Sequence, residues 1–227
     1  MRMIRTLHRF LVRQTMPAVA VAYYGKMCAG IADFYLGPLV EEINREFAQG
    51  ARILDVGTGT GHLPMMLARS NPRHQICGLD ISSTCLRSAE ARAETAGVSG
   101  RVRFVRAEVR DLRDRFDLVV STCSLHHWRY PVRMLKGMAG LLADAGQLWL
   151  MDDFGDVSED ARRAWVQRVE ASFAAGLLFR SVFNFESRHL AYREKEIRPL
   201  CDQAGLHIAG FRMKDVYFLA KCVPRHR

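Results

Sequence analysis

The sequence lacks the long uncharged run that a membrane span needs. A span takes roughly 20 mainly apolar residues, and the longest early candidate, residues 14–25, lies between Arg13 and Lys26 and contains Pro17. Internal repeats, low-complexity segments and Pro- or Ser-rich linkers are also missing. The 227 residues, 49% hydrophobic and 25% charged, are close to the globular average. We therefore expect a soluble, cytoplasmic protein with a sizeable core and no transmembrane segment.

Cysteine and histidine lack the spacing of a disulfide framework or a metal site. The six cysteines include no C-x-x-C pair, and most lie in apolar runs, where a free thiol behaves as a small hydrophobic group. We expect a reducing compartment and no bound metal. Five of the eight histidines show no spacing typical of metal ligands: His8, His74, His189, His207 and His226.

Blocks of consecutive basic residues are missing too, although the net charge is +9. A diffuse excess of this kind suits an anionic small molecule as well as nucleic acid. Arg2, Arg5, Arg9 and Arg13 recur at helical spacing, and no acid precedes Asp33. This stripe is the solvated face of a cap helix, a peripheral membrane anchor or an organellar presequence, and we favour the cap helix.

The patterns divide the chain into a helical cap over residues 1–50 and an α/β domain over residues 51–227. In the cap, a second helix is expected from Ala18 to Tyr35 and a third after Gly37-Pro38. Strands are expected over residues 53–56, 75–79, 102–105, 116–121 and 147–151, with two more at 206–213 and 216–222. Helices are expected from His62, from a Ser82 or Ser83 cap, along a Leu135, Met138 and Leu142 stripe ending near Gly146, and over 159–174 and 193–203. Strand–helix repeats of this length predict a doubly wound parallel sheet, which binds ligands beyond the carboxyl ends of its strands.

A glycine loop, Asp55-Val56-Gly57-Thr58-Gly59-Thr60-Gly61, follows the first of these strands. Glycines here permit positive φ and close approach of the backbone to a ligand. A dinucleotide fold would place its third glycine at position 62, which is His62. Asp80 ends the next strand, and its acceptor-only carboxylate suits the two hydroxyls of a ribose. The alternative is an aspartate that caps the following helix, and the position at the carboxyl end of a strand favours the ligand.

Residues about 50–155 resemble the class I S-adenosylmethionine-dependent methyltransferases, of the small-molecule type that includes ubiquinone and menaquinone C-methyltransferases. The resemblance implies a Rossmann-like, seven-stranded sheet with an antiparallel last strand, S-adenosyl-L-methionine as cofactor, and in-line transfer of the sulfonium methyl group to a small-molecule acceptor. It rests on the glycine loop with Asp55, on Gly78-Leu79-Asp80, on residues 116–121, on Ser124-Leu125-His126-His127-Trp128 and on residues 146–152.

The resemblance also implies a cofactor site. Glycines 57, 59 and 61, with Thr58, would pack under the methionine part, whose ammonium Asp55 would hold. Asp80 would take the ribose, and Ile81, Glu108 and Val109 would flank the adenine. The family more often has Asp at the position of Glu108, for which a solvated loop acid is an equal alternative. Backbone carbonyls of Ser121 and Thr122 would lie near the sulfonium.

His126 and His127 are the candidate catalytic residues, because they follow the fourth strand at the mouth of the expected site. One of them would act as a base or orient an acidic hydroxyl, or else the pair only shapes the pocket. Asp152 and Asp153 follow the fifth strand, where they would bind a cationic or hydroxylated substrate or a divalent ion, although a solvated or helix-capping role is favoured. His62 contacts the cofactor's carboxylate or caps the surface.

The segment 157–192 corresponds to the family's substrate-covering helical insertion. Its aromatic residues would line an apolar pocket or form ordinary core, with Tyr23, Tyr24 and Tyr35 on the opposite wall of the pocket. The acceptor, its reacting atom and the oligomeric state are not encoded by any motif. Alternative functions are a nucleic-acid or protein methyltransferase on the same fold, a non-catalytic S-adenosylmethionine-binding protein, and, disfavoured by His62, a nicotinamide oxidoreductase. Nucleic acid is disfavoured because the fourth strand is followed by Ser121-Thr122-Cys123-Ser124 rather than an Asn/Asp-Pro-Pro-aromatic turn.

Overall fold

The computed structural model describes residues 18–172 and 177–225, and in these ranges the chain forms seven α-helices and seven strands. The helices are α1 (Ala18–Glu46), α2 (His62–Ser70), α3 (Ser83–Thr95), α4 (Pro131–Ala139), α5 (Glu159–Ser172), α6 (Leu177–His189) and α7 (Glu194–Gln203). The strands are β1 (Arg52–Val56), β2 (Gln75–Asp80), β3 (Val102–Arg106), β4 (Phe116–Thr122), β5 (Leu142–Asp153), β6 (Leu206–Lys214) and β7 (Tyr217–Pro224). None of the described helices has the length and apolar composition to cross a bilayer. The N-terminal arginine stripe lies outside the described residues.

The strands form one sheet in the order β3-β2-β1-β4-β5-β7-β6. β1 pairs in parallel with β2 and β4, and β2 pairs in parallel with β3. β7 is antiparallel to both β5 and β6. The doubly wound sheet with an antiparallel last strand is therefore confirmed. Parallel strands are covered on both faces, which is why β1 and β4 read as nearly continuous apolar runs.

The described chain divides into two compact units. The first unit comprises residues 18–120 and 141–146, and the second comprises 121–140, 147–172 and 177–225. In the first unit, Ile53, Leu54 and Leu118 are fully buried at the centre of the sheet. In the second, Trp149 and Phe218 have that role.

The expected break at Gly37-Pro38 is wrong, because α1 continues through both residues to Glu46. A proline inside a helix costs about 3 kcal/mol. Leu36, Leu39 and Ile43 on the same segment are buried, and each contributes roughly 1.5–3 kcal/mol. Tertiary burial therefore outweighs the local preference.

The expected helix ending near Gly146 is also wrong, because α4 ends at Ala139 and Leu142 begins the long strand β5. Gly146 does not stop a helix but allows a neighbouring backbone to come close. A Cβ there would lie 2.7 Å from the carbonyl oxygen of Phe116. The glycine that suggested a helix end thus marks strand packing instead.

One local prediction, the serine cap, is confirmed. The Ser82 side chain caps α3 by accepting a hydrogen bond from the Cys85 amide at 3.2 Å. A tight turn joins β6 to β7, with Asp215 in the left-handed region at φ 55°.

Candidate functional site

The glycine loop lies in the first unit and is tied to the end of β2. The amides of Gly57 and Thr58 both donate to the carbonyl oxygen of Leu79, at 2.8 and 3.0 Å. Gly57 and Gly59 have φ values of 76° and 54°, which side chains rarely adopt. Thr58 is buried, and a Cβ at Gly78 would lie 2.8 Å from its hydroxyl oxygen. The loop is therefore a fixed turn in which Thr58 packs over β2.

Gly61 has a different role from the other two glycines. Its φ is 78°, and a Cβ there would lie 2.8 Å from the Cβ of Ala89 and 3.0 Å from the Phe104 ring. The missing side chain lets α3 and β3 pack closely against the start of α2. Gly61 thus allows close packing at the end of the loop, and its expected place under a cofactor's methionine stays a prediction.

The environment of Asp55 shows whether this residue suits a positively charged ligand group. Its side chain is 1% exposed, and among the described residues its Oδ1 has no hydrogen-bond partner. Burial raises the pKa of Asp55 to about 7, Thr58 lowers it in part, and the charge of Asp80 raises it further. A buried carboxylate with an orphaned oxygen gains from a positively charged hydrogen-bond donor. The residue present therefore fits the ammonium group of the expected cofactor.

Asp80 joins the glycine loop to the start of α3. Its Oδ2 accepts from the Gly59 amide at 2.9 Å, and its Oδ1 accepts from the Ser82 amide at 2.8 Å. Burial raises the pKa of Asp80 and these backbone donors lower it. Each carboxylate oxygen has two lone pairs, so both retain capacity for a ribose hydroxyl. Ile81 is half-buried beside it.

The acid after β3 is less suited to an adenine than expected. Glu108 is exposed, and its carboxylate pairs with the Arg110 guanidinium at 3.0 Å. Val109, in contrast, is buried in a single 3₁₀ turn, Val109–Asp111. Val109 thus offers buried apolar surface, and the expected contact of Glu108 with an adenine stays a prediction.

His62 faces α1. Its Nε2 lies 3.2 Å from the Gly25 carbonyl oxygen and 3.4 Å from Nη1 of Arg92. Burial and the Arg92 charge lower the pKa of His62 to about 4, so the ring is neutral at physiological pH. This favours a packing role, because a neutral ring offers a carboxylate no charge.

The second unit begins where β4 ends. Ser121 is buried and Thr122 is half-buried, and the Thr122 carbonyl accepts from the Ser124 hydroxyl at 3.0 Å. Cys123 has a φ of 47°, and its amide donates to the Met151 carbonyl at 2.9 Å. This left-handed residue turns the chain away from the strand into a 3₁₀ turn, Leu125–His127, which presents both candidate catalytic histidines.

His126 is held by the end of β5. Its Nδ1 lies 2.5 Å from Oδ1 of Asp152, and its amide donates to Oδ2 of the same residue at 3.3 Å. Both side chains are buried. Burial lowers the pKa of His126, but the carboxylates around it, Asp152 first, outweigh burial and raise it to about 9. His126 is therefore anchored on Asp152 through both its ring and its amide.

Asp153 is buried as well, contrary to a solvated role. Burial raises its pKa to about 7, His126 lowers it, and Asp152 and Glu186 raise it. Tyr217 pairs with Asp153 across the β5–β7 ladder, and burial and that charge raise the pKa of Tyr217 well above its usual value. The end of β5 therefore carries two buried carboxylates.

His127 is the exposed histidine. Its Nε2 lies 3.9 Å from Oε1 of Glu186 on α6, and the two rings of His126 and His127 are 3.9 Å apart. Burial raises the pKa of Glu186, and His126 opposes this. We call His126, His127 and Glu186, with Asp152 behind them, the histidine cluster. Sequence reasoning missed Glu186, because it lies far along the chain in a helix read only for its aromatic residues.

The aromatic segment is only partly described. Phe183 and Tyr192 are buried core residues, whereas Phe185 is 43% exposed. Phe173 and the side chains of Phe179, Tyr23 and Tyr24 lie outside the described part, and Tyr35 is half-buried. The insertion thus supplies core and an exposed ring, and its substrate-covering role stays a prediction.

Residues 47–192 match a family model described as a methyltransferase domain. The chain is 26% identical over 165 residues to a ubiquinone biosynthesis O-methyltransferase from Ralstonia nicotianae, covering 72% of this chain and 66% of that protein. It is 34% identical over 176 residues to a malonyl-[acyl-carrier protein] O-methyltransferase from Geobacter sulfurreducens, covering 75% and 60%. The chain thus spans two thirds or less of the length of these relatives.

A solved structure shares the fold. Magnesium protoporphyrin IX methyltransferase from Synechocystis, with bound SAH, matches with a TM-score of 0.62 and 17% identity, over 88% of this chain and 86% of the other.

Proposed function

The chain belongs to the family of methyltransferase domains, and we propose that it transfers the methyl group of S-adenosylmethionine to a hydroxyl oxygen of a small-molecule acceptor. Both curated relatives described above are named as O-methyltransferases. The observation that carries the oxygen assignment is the histidine cluster, in which His127 is exposed beside Glu186 while His126 is anchored by Asp152.

The glycine loop and its neighbours hold the cofactor. The buried carboxylate of Asp55 binds the ammonium, and its orphaned Oδ1 supports this assignment. Asp80 accepts from the ribose hydroxyls with the lone pairs that Gly59 and Ser82 leave free. When bound, S-adenosylmethionine supplies a methyl group already activated for displacement by its sulfonium. The protein's own work is then to position the acceptor and offset its charge.

The histidine cluster meets the need of an oxygen acceptor. A hydroxyl keeps its proton at neutral pH, so its oxygen becomes a good nucleophile only where the developing negative charge is offset or the proton is taken up. His127 is the exposed member, and we assign it as the side chain that the acceptor oxygen approaches. His126 is a positioning residue, because its buried ring is fixed on Asp152 and holds the turn in place.

The test is methyl transfer from labelled S-adenosylmethionine to a panel of hydroxylated, amine, thiol, protein and nucleic-acid acceptors, with the product identified by mass spectrometry. We expect O-methylated small molecules. His127→Gln should lower kcat by about 10²–10⁴-fold, with little change in cofactor affinity. His207→Gln is the matched control, because His207 is exposed on β6, outside the cluster.

Transfer to amines, proteins or nucleic acids alone would overturn the oxygen assignment. Equal kcat for His127→Gln and His207→Gln would overturn the role of His127. Cofactor binding by calorimetry without turnover on any acceptor class would favour a non-catalytic binding protein.

A further inference from the structure

The histidine cluster brings three metal-ligand side chains to one place in the second unit. His126, His127 and Glu186 each offer one ligand atom, and these atoms lie within 4.8 Å of one another. Two ligand atoms of a tetrahedral zinc-type ion are about 3.4 Å apart, at roughly 2.1 Å each from the ion. Rotation of the partly exposed His127 and Glu186 side chains would close the observed separations of up to 4.8 Å to this value and place all three atoms within bonding distance of one ion.

Asp152 supplies a second, independent feature of a metal site. Histidine ligands in proteins usually give their other ring nitrogen to a carboxylate, which fixes the ring and raises its basicity. In this structure Nδ1 of His126 lies 2.5 Å from Oδ1 of Asp152, with both side chains buried. This arrangement assigns Nε2 of His126 as the ligand nitrogen, and any proton on Nε2 leaves to solvent when the ion binds.

The cluster also has an open side. The His127 side chain is 46% exposed and the Glu186 side chain is 27% exposed, so an ion can enter without unfolding of the turn. Three protein ligands with an accessible position are typical of catalytic rather than structural zinc sites. Two imidazoles with one carboxylate favour a borderline cation over the hard cations Mg²⁺ and Ca²⁺.

We propose that His126, His127 and Glu186 hold a divalent transition-metal cation of the zinc type, and that its open position takes the hydroxyl oxygen of the acceptor. The site itself stands on the geometry of the second unit, whereas the role toward the acceptor rests on the proposed function. Coordination makes a hydroxyl more acidic, as it does for a bound water. Its proton leaves to solvent as the oxygen binds, and no oxidant or reductant is involved.

The first test is calorimetry with Zn²⁺, Mn²⁺ and Mg²⁺ on the untagged full chain after treatment with a chelator. We expect one Zn²⁺ or Mn²⁺ per chain with micromolar or tighter affinity and much weaker Mg²⁺ binding. Glu186→Gln keeps the shape of the side chain and should weaken binding by more than about 100-fold, the upper range for loss of a supporting residue. His207→Gln is the control and should bind as the wild type does. Cobalt substitution adds a visible spectrum that must change in Glu186→Gln.

The outcomes separate the metal site from the proposed function. Wild-type binding no tighter than in Glu186→Gln, or equal loss in His207→Gln, would overturn the site. Methyl transfer to hydroxyls that survives complete removal of metal would overturn its catalytic role and leave the proposed function intact. Tight binding lost in Glu186→Gln, with no transfer to any hydroxyl, would support the site and overturn the proposed function.

Discussion

Asp55 is expected to destabilise the empty protein at neutral pH, and its replacement by asparagine tests this. Its pKa is raised from 3.8 to about 7, chiefly by burial. Each pKa unit corresponds to 1.36 kcal/mol, so the folded protein carries a penalty of about 4 kcal/mol once the carboxyl is ionised. Because the folded pKa is the higher one, the folded state binds the proton more tightly. The stability from this group therefore falls as pH rises from about 4 and reaches its minimum above about 7.

The pH dependence is the informative quantity. The amide of Asp55→Asn is left partly unpaired at a cost of about 1–3 kcal/mol, but this cost is equal at every pH. Between pH 5 and pH 8 the free energy of unfolding should fall by about 3 kcal/mol more in the wild type than in the variant. Urea unfolding of the wild type and of Asp55→Asn at the two pH values measures these free energies. Asp144→Asn is the control, because Asp144 is exposed and the substitution should leave the profile unchanged.

Without cofactor at pH 8, the wild type should be less stable than Asp55→Asn, and the cofactor should reverse this order. Saturating S-adenosylmethionine at pH 8 should stabilise the wild type by mass action and leave Asp55→Asn nearly unaffected, because the variant lacks the carboxylate that we propose as the ammonium ligand. Parallel pH profiles for the wild type and Asp55→Asn would refute the penalty. Equal stabilisation of both proteins by the cofactor would refute the assignment of Asp55 as its ammonium ligand.

Two further pairs of variants test packing. In urea unfolding, Gly61→Ala should lower the free energy of unfolding by about 1–3 kcal/mol more than Gly97→Ala does. Both glycines have positive φ, but only at Gly61 would a Cβ press against Ala89. Equal losses would show that backbone strain alone matters. His126→Gln should lower the free energy of unfolding by about 3–5 kcal/mol, because it leaves the buried carboxylate of Asp152 without its partner. His127 is exposed, so His127→Gln should change the free energy of unfolding by no more than about 0.5 kcal/mol. The same unfolding measurement decides, and similar losses in the two variants would contradict the assignment of His126 as the anchor.

Sequence reasoning succeeded where local chemistry and burial agree. The strand before Gly57 is apolar throughout because it is covered on both faces, and the glycines after it take the φ values that their loop requires. Ser82 was readable as a cap for the same reason, since its hydroxyl satisfies an amide only three residues away. Such features depend on neighbours in the sequence.

The features that sequence reasoning missed depend on distant partners. Proline at position 38 signals a helix break, but the burial of Leu39 and Ile43 is a tertiary property. Asp152 and Glu186 reach the two histidines from a strand and a helix far along the chain. No spacing rule connects such residues, so their charges and contacts became visible only in the folded chain.

Asp80 has one consequence for the evolution of this site. The carboxylate that would recognise a ribose also accepts from the Gly59 amide and so fastens the loop around which the ligand sits. Changing this residue to suit a molecule without adjacent hydroxyls would loosen the loop at the same time. Ligand specificity and the order of the loop therefore depend on the same side chain. A change of cofactor specificity at this position would need a second substitution that restores a hydrogen-bond acceptor for the Gly59 amide.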